Sequence, residues 1–245
     1  MEVEEIKPYS SEAGKADQVR AMFDAIAPAY DFMNRAMTIG VDKWWRHVAV
    51  NKVALPKPVK ILDLATGTGD LAIAVARRLP EASITGVDLS EKMLNIAARK
   101  IDESGLKQRI PLVQADGTAL PFPDASFDCV TIAYGIRNFE DIEKGYREML
   151  RVLKPGGIIV VLELSTPTNA LALCGYRFYT RWVIPVVGRA VSRDCRAYSY
   201  LPESIAAVPQ RHNMTAIMHK AGFSDVTYRA MTMGTCCLYT GCKKV

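Results

Sequence analysis

The chain has 245 residues, 49% of them hydrophobic and 23% charged, with a formal net charge of +5 at pH 7. That length can bury one large core, the composition is that of an ordinary globular protein, and the charge is too mild to indicate nucleic acid, although it admits an anionic membrane surface. The six cysteines form no CxxC pair and the three histidines, His47, His212 and His219, are scattered, so reduced thiols in a cytoplasmic protein without a metal site are expected.

In chain order, Met1 to Gly14 is acidic and polar with no apolar stretch, which is not the pattern of a signal peptide. From Ala16 to about Val53 the pattern is helical. Val19, Met22, Phe23, Ile26, Ala27 and Tyr30 fall on one face, and Pro28 should end or kink that helix. From Pro58 to about Ser165, β-rich runs alternate with helical ones. Strands are expected at Val59–Leu64, Ser83–Val87, Ile110–Gln114, Cys129–Ala133 and Ile158–Leu164. Helices are expected at Asp70–Leu79, at Ser90–Asp102 with Ser90 as N-cap, and at Ile142–Leu153. The alternation predicts βαβ units, hence an α/β fold with a doubly wound, mostly parallel sheet.

Beyond Thr166 comes a basic, aromatic segment, then a helix at about Glu203–Lys220 ending at Gly222. Two further runs, Asp225–Met231 and Cys236–Gly241, should add edge strands to the same sheet. A single domain over 1–245 is expected, divided into a helical N-terminal cover (1–57), a cofactor-binding core (58–165), a basic aromatic lid (166–202) and a C-terminal helix with strands (203–245). No run approaches the ~18 apolar residues of a spanning helix. Leu171 to Val191 is broken by Arg177, Arg181, Pro185 and Arg189.

In such sheets ligands bind just beyond the carboxyl ends of the strands. The first strand runs into Asp63-Leu64-Ala65-Thr66-Gly67-Thr68-Gly69-Asp70. Gly67 and Gly69 let backbone approach a ligand where a side chain would collide, and the helix that follows offers free N–H groups. Alone, Gly67-x-Gly69-x-x-Ala72 also reads as a dinucleotide fingerprint. Asp63 weighs against that reading, because a carboxylate repels pyrophosphate and attracts the ammonium and sulfonium of S-adenosyl-L-methionine. Asp88, with Leu89 beside it, ends the second strand and suits the two ribose hydroxyls of an adenosine; it also suits a role at the N-terminus of the Ser90 helix. Asp116-Gly117 after the third strand suits the adenine amino group, or forms a plain turn. The fourth strand leads into Ala133-Tyr134-Gly135-Ile136-Arg137-Asn138-Phe139, where Arg137 and Asn138 are placed for substrate recognition. The alternative for Arg137 is a surface pair with Glu140 or Asp141.

Tyr30-Asp31-Phe32-Met33-Asn34, with Trp45 downstream, resembles the N-terminal signature of the ubiquinone/menaquinone biosynthesis C-methyltransferases. Arg151-Val-Leu-Lys-Pro-Gly-Gly157-Ile-Ile-Val-Val-Leu-Glu163-Leu-Ser165 resembles their second signature. The resemblance runs from about Val19 to Lys243. It implies a class I methyltransferase fold, S-adenosyl-L-methionine as methyl donor, and cofactor contacts at Thr68, Asp88 and Asp116-Gly117, with Asp63, Gly67, Gly69, Leu89 and Ala133 completing the candidate cofactor set. It also implies transfer to a ring carbon of a reduced prenylated quinone. The C-terminal Cys236-Cys-Leu-Tyr-Thr-Gly-Cys-Lys-Lys is similar to menaquinone-type members, which favours demethylmenaquinol over a benzoquinol. Two departures stand out: a Ser-x-x-x-His pairing appears as Thr38 and Asp42, and a serine frequent in the fourth-strand loop is Ala133.

Methyl transfer to carbon needs an electron-rich ring, which a quinol provides on losing a phenolic proton. Arg137 is the candidate to stabilise that phenolate, with Asn138 and Tyr30 as the other candidate catalytic residues. Tyr30 equally suits an ordinary core position. No side chain stands out as general base, and a bound water suffices. A prenyl tail requires contact with a membrane. Leu171 to Arg196 carries Arg177, Arg181, Arg189, Arg193 and Arg196 against Asp194, interleaved with Tyr176, Phe178, Tyr179, Trp182 and Val183. This reads either as a membrane-surface segment or as a lid on the sheet. A cytoplasmic protein, peripheral at the inner face of the cell membrane, is expected, with a homodimer left open. The rivals are a nicotinamide oxidoreductase, a non-catalytic S-adenosyl-L-methionine-binding subunit, and a methyltransferase for another small hydrophobic substrate.

Overall fold

The computed structural model describes residues 3–9, 12–183 and 195–245. The N-terminal helices are α1 (Lys15–Ile26), α2 (Tyr30–Thr38) and α3 (Val41–Ala54), and a 3-10 turn over Ala27–Ala29 carries Pro28 between the first two. Pro28 ends α1 as expected, since a ring in place of the N–H cannot continue the ladder. Then follow β1 (Lys60–Leu64), α4 (Asp70–Arg78), β2 (Ser83–Asp88), α5 (Glu91–Glu103), β3 (Leu112–Gln114), β4 (Phe127–Ala133), α6 (Ile142–Val152) and β5 (Leu153–Leu164). Ser90 caps α5, accepting the Met93 N–H at 3.1 Å.

The remaining elements are α7 (Ala170–Phe178), a π-helical turn over Tyr179–Val183, α8 (Cys195–Ala207), α9 (His212–Ala221), β6 (Ser224–Met231) and β7 (Cys236–Cys242). The single helix expected at Glu203–Lys220 is two helices. Pro209 cannot supply an N–H to the ladder, and Arg211 takes a positive φ of 54° between them. Of the basic segment, Pro185, Arg189, Arg193 and Asp194 lie outside the described residues.

One sheet runs in the order β3-β2-β1-β4-β5-β7-β6. The first five strands pair in parallel, and β7 is antiparallel to both β5 and β6. This is the doubly wound, mostly parallel sheet expected. One expectation is corrected: of the two C-terminal strands β6 alone lies at an edge, opposite β3, while β7 is inserted between it and β5. Burial explains the order. Cys236, Cys237, Leu238 and Tyr239 are all buried, as an internal strand requires, whereas β6 alternates between half-buried and exposed.

Tyr146, Met149, Met214 and Met218 from α6 and α9 cover one face of the sheet. Trp45, Val53, Leu71, Val75 and Ile101 from α3, α4 and α5 cover the other. A smaller cluster of Val19, Met22, Ile26 and Met33 packs the N-terminal cover onto Met93 and Tyr200. The chain leaves β1 toward β2 and β3, then returns to β4 on the opposite side. The crevice between the ends of β1 and β4 is therefore the topological switch point. Both strands leave the sheet there through positive φ, at Ala65 (50°) and Tyr134 (58°).

Candidate active site

Three cavities meet at this crevice, and Tyr30 and Tyr134 line all three. The first lies over the ends of β1, β2 and β3. Its polar wall includes Asp88, Asp116 and Asn138, with Arg20, Ser90 and Glu140, and its apolar wall includes Phe23, Leu64, Leu89 and Phe139. Asp88 accepts the Gly67 N–H at 2.8 Å and the Ser90 N–H at 2.9 Å, so it organises the glycine turn and the start of α5 together. Burial holds its carboxyl above the usual range, against those two hydrogen bonds. Asp116 forms a turn, its Oδ1 accepting the Thr118 N–H at 2.8 Å, and it also lines the cavity. Each aspartate thus makes its local hydrogen bonds and also lines the cavity.

The glycines divide their work. Gly67, at φ 56°, lines the first cavity. Gly69, at φ 82°, does not; a Cβ there would press Ala97 of α5 at 3.3 Å, so it serves helix packing. Gly117 lines the cavity, yet its missing side chain makes room for the Phe139 ring, which a Cβ would meet at 2.4 Å.

The second cavity, beyond the glycine turn, is lined by Asp31, Arg46, Asp63, Thr68 and Asp70, with Ala133 at its border with the first. Asp63 is buried and accepts hydroxyls from Thr66 and Thr131, each at 2.6 Å. Burial pushes its carboxyl up to about 6 despite these bonds. Thr68 donates its hydroxyl to Asp31 at 2.5 Å and accepts from Lys100 at 3.1 Å. Lys100 also bridges Asp31 and Asp70, and Arg46 pairs with Asp42 and Asp70. Asp63 and Thr68 thus face the cavity with their oxygens already engaged. They set its charge and shape more than they reach into it.

The third cavity is apolar, about 400 Å³, and walled by Met37, Val41, Trp45, Tyr176, Leu201 and Ile205 among others. Arg137 lines it, is 5% exposed, and pairs through Nη1 with Glu163 Oε1 at 2.9 Å. Burial opposes its charge, but the Glu163 carboxylate raises its pKa above the ordinary value. The surface pair with Glu140 or Asp141 does not form. Glu140 accepts the Lys15 N–H at 3.3 Å, and Asp141 caps α6 through the Lys144 N–H at 2.8 Å. Asn138 lies toward the first cavity instead, accepting the Tyr200 hydroxyl at 3.1 Å.

Residues 11–243 match the model of the ubiE/COQ5 methyltransferase family. The chain belongs to that family. It is 45% identical over 240 residues to the demethylmenaquinone methyltransferase of Bacteroides fragilis, covering 98% of each chain. It is 46% identical over 220 residues to the demethylmenaquinone methyltransferase of Thermus thermophilus, covering 90% of this chain and 99% of that one. It is 45% identical over 228 residues to the ubiquinone/menaquinone biosynthesis C-methyltransferase UbiE of Geobacter sulfurreducens, covering 93% and 89%. Among solved structures, the cyclase SpnF superposes with a TM-score of 0.70 at 20% identity, covering 94% of this chain and 96% of that one. A SAM-dependent methyltransferase from Thermotoga maritima gives 0.64 at 21%, covering 92% and 100%. The last two show the shared fold.

The protein is therefore an S-adenosyl-L-methionine-dependent methyltransferase. The residues present fit that cofactor. Asp31, Asp63 and Asp70 line the second cavity with Arg46, and Lys100 bridges Asp31 and Asp70 from outside that lining. Three carboxylates thus stand against two cations, a balance suited to an ammonium and a sulfonium rather than a phosphate. The first cavity pairs an apolar wall with Asp88 and Asp116, carboxylates that would accept hydrogen bonds from an adenosine's hydroxyls and amino group. Sequence reasoning missed Glu163 as the partner of Arg137, although the residue stood in the second signature. It also missed Tyr134, Asp42 and the Lys100 bridge. Only the fold brings Lys100 to Asp31, and no local pattern marks that contact.

Proposed function

We propose that the protein transfers the methyl group of S-adenosyl-L-methionine to a ring carbon of a reduced prenylated quinone, converting demethylmenaquinol to menaquinol. The observation that carries this reading is the apolar cavity, which falls in the range of about 300–1,000 Å³ usual for small-molecule sites and joins the cofactor cavities at Tyr30 and Tyr134. The relatives named for demethylmenaquinone support the naphthoquinol over the benzoquinol.

When bound, the cofactor supplies an electrophilic methyl group. The chain's own residues do the rest. Aromatic and aliphatic walls exclude water and hold the ring system at the junction. Arg137 presents guanidinium N–H groups where phenolate charge develops as the quinol loses its proton. Glu163 already neutralises that guanidinium, so Arg137 acts through fixed hydrogen-bond donors more than through net charge. The proton leaves to solvent through water, since among the described residues no side chain is placed as a dedicated base.

The lid supports contact with a membrane surface from the cytoplasmic side. Tyr176, Tyr179 and Thr180 line the apolar cavity, while Leu171, Phe178 and Trp182 are turned out to solvent beside the exposed Arg177 and Arg181. Exposed aromatics next to cations suit an interfacial position, from which a prenyl tail could reach the cavity. Among the described residues no helix is long and apolar enough to cross a membrane.

The test is a radiolabelled methyl-transfer assay against short-chain demethylmenaquinol and the matching benzoquinol. Incorporation into the naphthoquinol at a kcat/KM at least about tenfold higher supports the reading. Preference for the benzoquinol, or labelling of neither, overturns it.

A further inference from the structure

The apolar cavity holds an anomaly. Among the described residues only two buried side-chain polar atoms lack a hydrogen-bond partner, the Tyr134 hydroxyl and Arg137 Nε, and both residues line this cavity. Three other buried or half-buried phenols among the described residues have partners. The Tyr200 hydroxyl donates to Asn138 at 3.1 Å, the Tyr179 hydroxyl donates to the Met37 carbonyl at 2.8 Å, and the Tyr239 hydroxyl accepts the Arg211 N–H at 2.8 Å. Buried polar groups are nearly always paired, so two orphans on residues that line one cavity suit a ligand with oxygen acceptors on an apolar body.

The backbone at Tyr134 points the same way. Its φ of 58° is unusual for a bulky residue and persists only where the surroundings over-determine it. They do so here. The Tyr134 N–H donates to the Leu162 carbonyl at 2.7 Å, and its own carbonyl accepts from the Arg137 guanidinium and the Asn138 amide. The ring stands edge-on to Trp45, 6.5 Å between centroids, at the junction of all three cavities. A strained turn, held by Leu162, Arg137 and Asn138, thus places at this junction a phenol without a protein partner.

We infer that Tyr134 is a substrate-binding residue of the methyl-transfer site, its hydroxyl donating a hydrogen bond to a ring oxygen of the quinol. The inference rests on the quinol reading of the apolar cavity. Arg137 supplies the second unpartnered donor, and a quinol carries two ring oxygens, so the site has a donor available for each. Burial pushes the Tyr134 phenol well above its ordinary value. It therefore stays protonated throughout the working pH range and serves as donor, never as base.

Tyr134→Phe tests this, because it removes the hydroxyl and keeps the ring. A hydrogen bond made only to substrate should cost about 10- to 100-fold in kcat/KM for the short-chain quinol, shared between kcat and KM. Affinity for S-adenosyl-L-methionine should stay within about twofold. The melting temperature should hold or rise, since an unsatisfied buried hydroxyl has been deleted. That combination of slower turnover and undiminished stability is one a structural role does not produce. Wild-type rates in the variant, or lost stability accompanied by weakened cofactor binding, overturn the inference. Trp45 fluorescence titration with the oxidised short-chain naphthoquinone provides a second arm, in which the variant should bind about tenfold more weakly than wild type. If wild type binds but does not turn over the quinol, the proposed reaction fails while the binding arm still decides the role of Tyr134. If wild type neither binds nor turns over, both fall together.

Discussion

Arg137 and Glu163 form a buried ion pair, Nη1 to Oε1 at 2.9 Å, that ties the loop after β4 to the end of β5. The Glu163 carboxylate also accepts the Arg137 N–H at 3.3 Å and the Leu164 N–H at 2.8 Å. The side chain that faces the apolar cavity is therefore fixed by a residue that lies in the second signature and takes no part in that cavity's lining.

The pair predicts a split between two variants. Arg137→Ala should lower kcat by about 10²- to 10³-fold, as loss of an oxyanion-type donor does, with cofactor affinity little changed. It should also destabilise by about 3–5 kcal/mol, because it strands a buried carboxylate. Glu163→Gln keeps an acceptor of the same shape and leaves Arg137 in place, so its kcat loss should be nearer tenfold. Denaturant unfolding with steady-state rates on the same preparations checks both. Near-normal kcat in folded Arg137→Ala would assign that residue to structure alone.

Asp88 joins the glycine turn to α5 and lines the cofactor cavity. Asp88→Ala should weaken S-adenosyl-L-methionine by about 10- to 100-fold through lost charge-assisted hydrogen bonds. Calorimetric titration gives the number. Unchanged affinity would place the adenosine elsewhere.

Much of this was legible in the sequence because it is local. The β-rich runs, the Ser90 cap and the acidic strand ends all sit where the chain's own alternation puts them. The order of β7 and β6 was not legible, since both runs read as strands and only burial on both faces marks β7 as internal. The break at Pro209 was hidden by helical periodicity on either side of it. Arg137 was read as a substrate residue from its strand-end position, but its partner lies 26 residues on, and no spacing rule connects a loop cation to a carboxylate on the neighbouring strand. Tyr134 stands in the fourth-strand loop, but the sequence assigns it no role, because an unpaired hydroxyl is a property of packing and leaves no trace in composition.

The cofactor site should be pH-dependent through Asp63. Burial raises its carboxyl from 3.8 to about 6 in the folded protein. A raised carboxyl favours the folded state in acid, and that contribution is lost as pH rises through about 6. A nearby cationic ligand reverses the preference by favouring the carboxylate. S-adenosyl-L-methionine affinity should therefore be about tenfold weaker at pH 5 than at pH 7, with proton release on binding near pH 6. Asp88, raised in the same direction, adds to the trend. Asp63→Asn isolates the effect, since its amide keeps an acceptor for Thr66 or Thr131 but cannot titrate. A pH profile as steep in that variant as in wild type would show that Asp63 is not its source.

The central claim is that the carbon accepting the methyl group belongs to a reduced ring whose phenolate is held in the cavity beside Arg137. Its most direct measurement is single-turnover transfer of labelled methyl to a short-chain demethylmenaquinone, run in parallel with the quinone kept oxidised and with the quinone reduced by dithionite. Transfer should occur with the reduced ring and fall by at least about 10²-fold with the oxidised one, since only the quinol can place negative charge on the ring carbon. Equal transfer in the two arms would contradict a phenolate route.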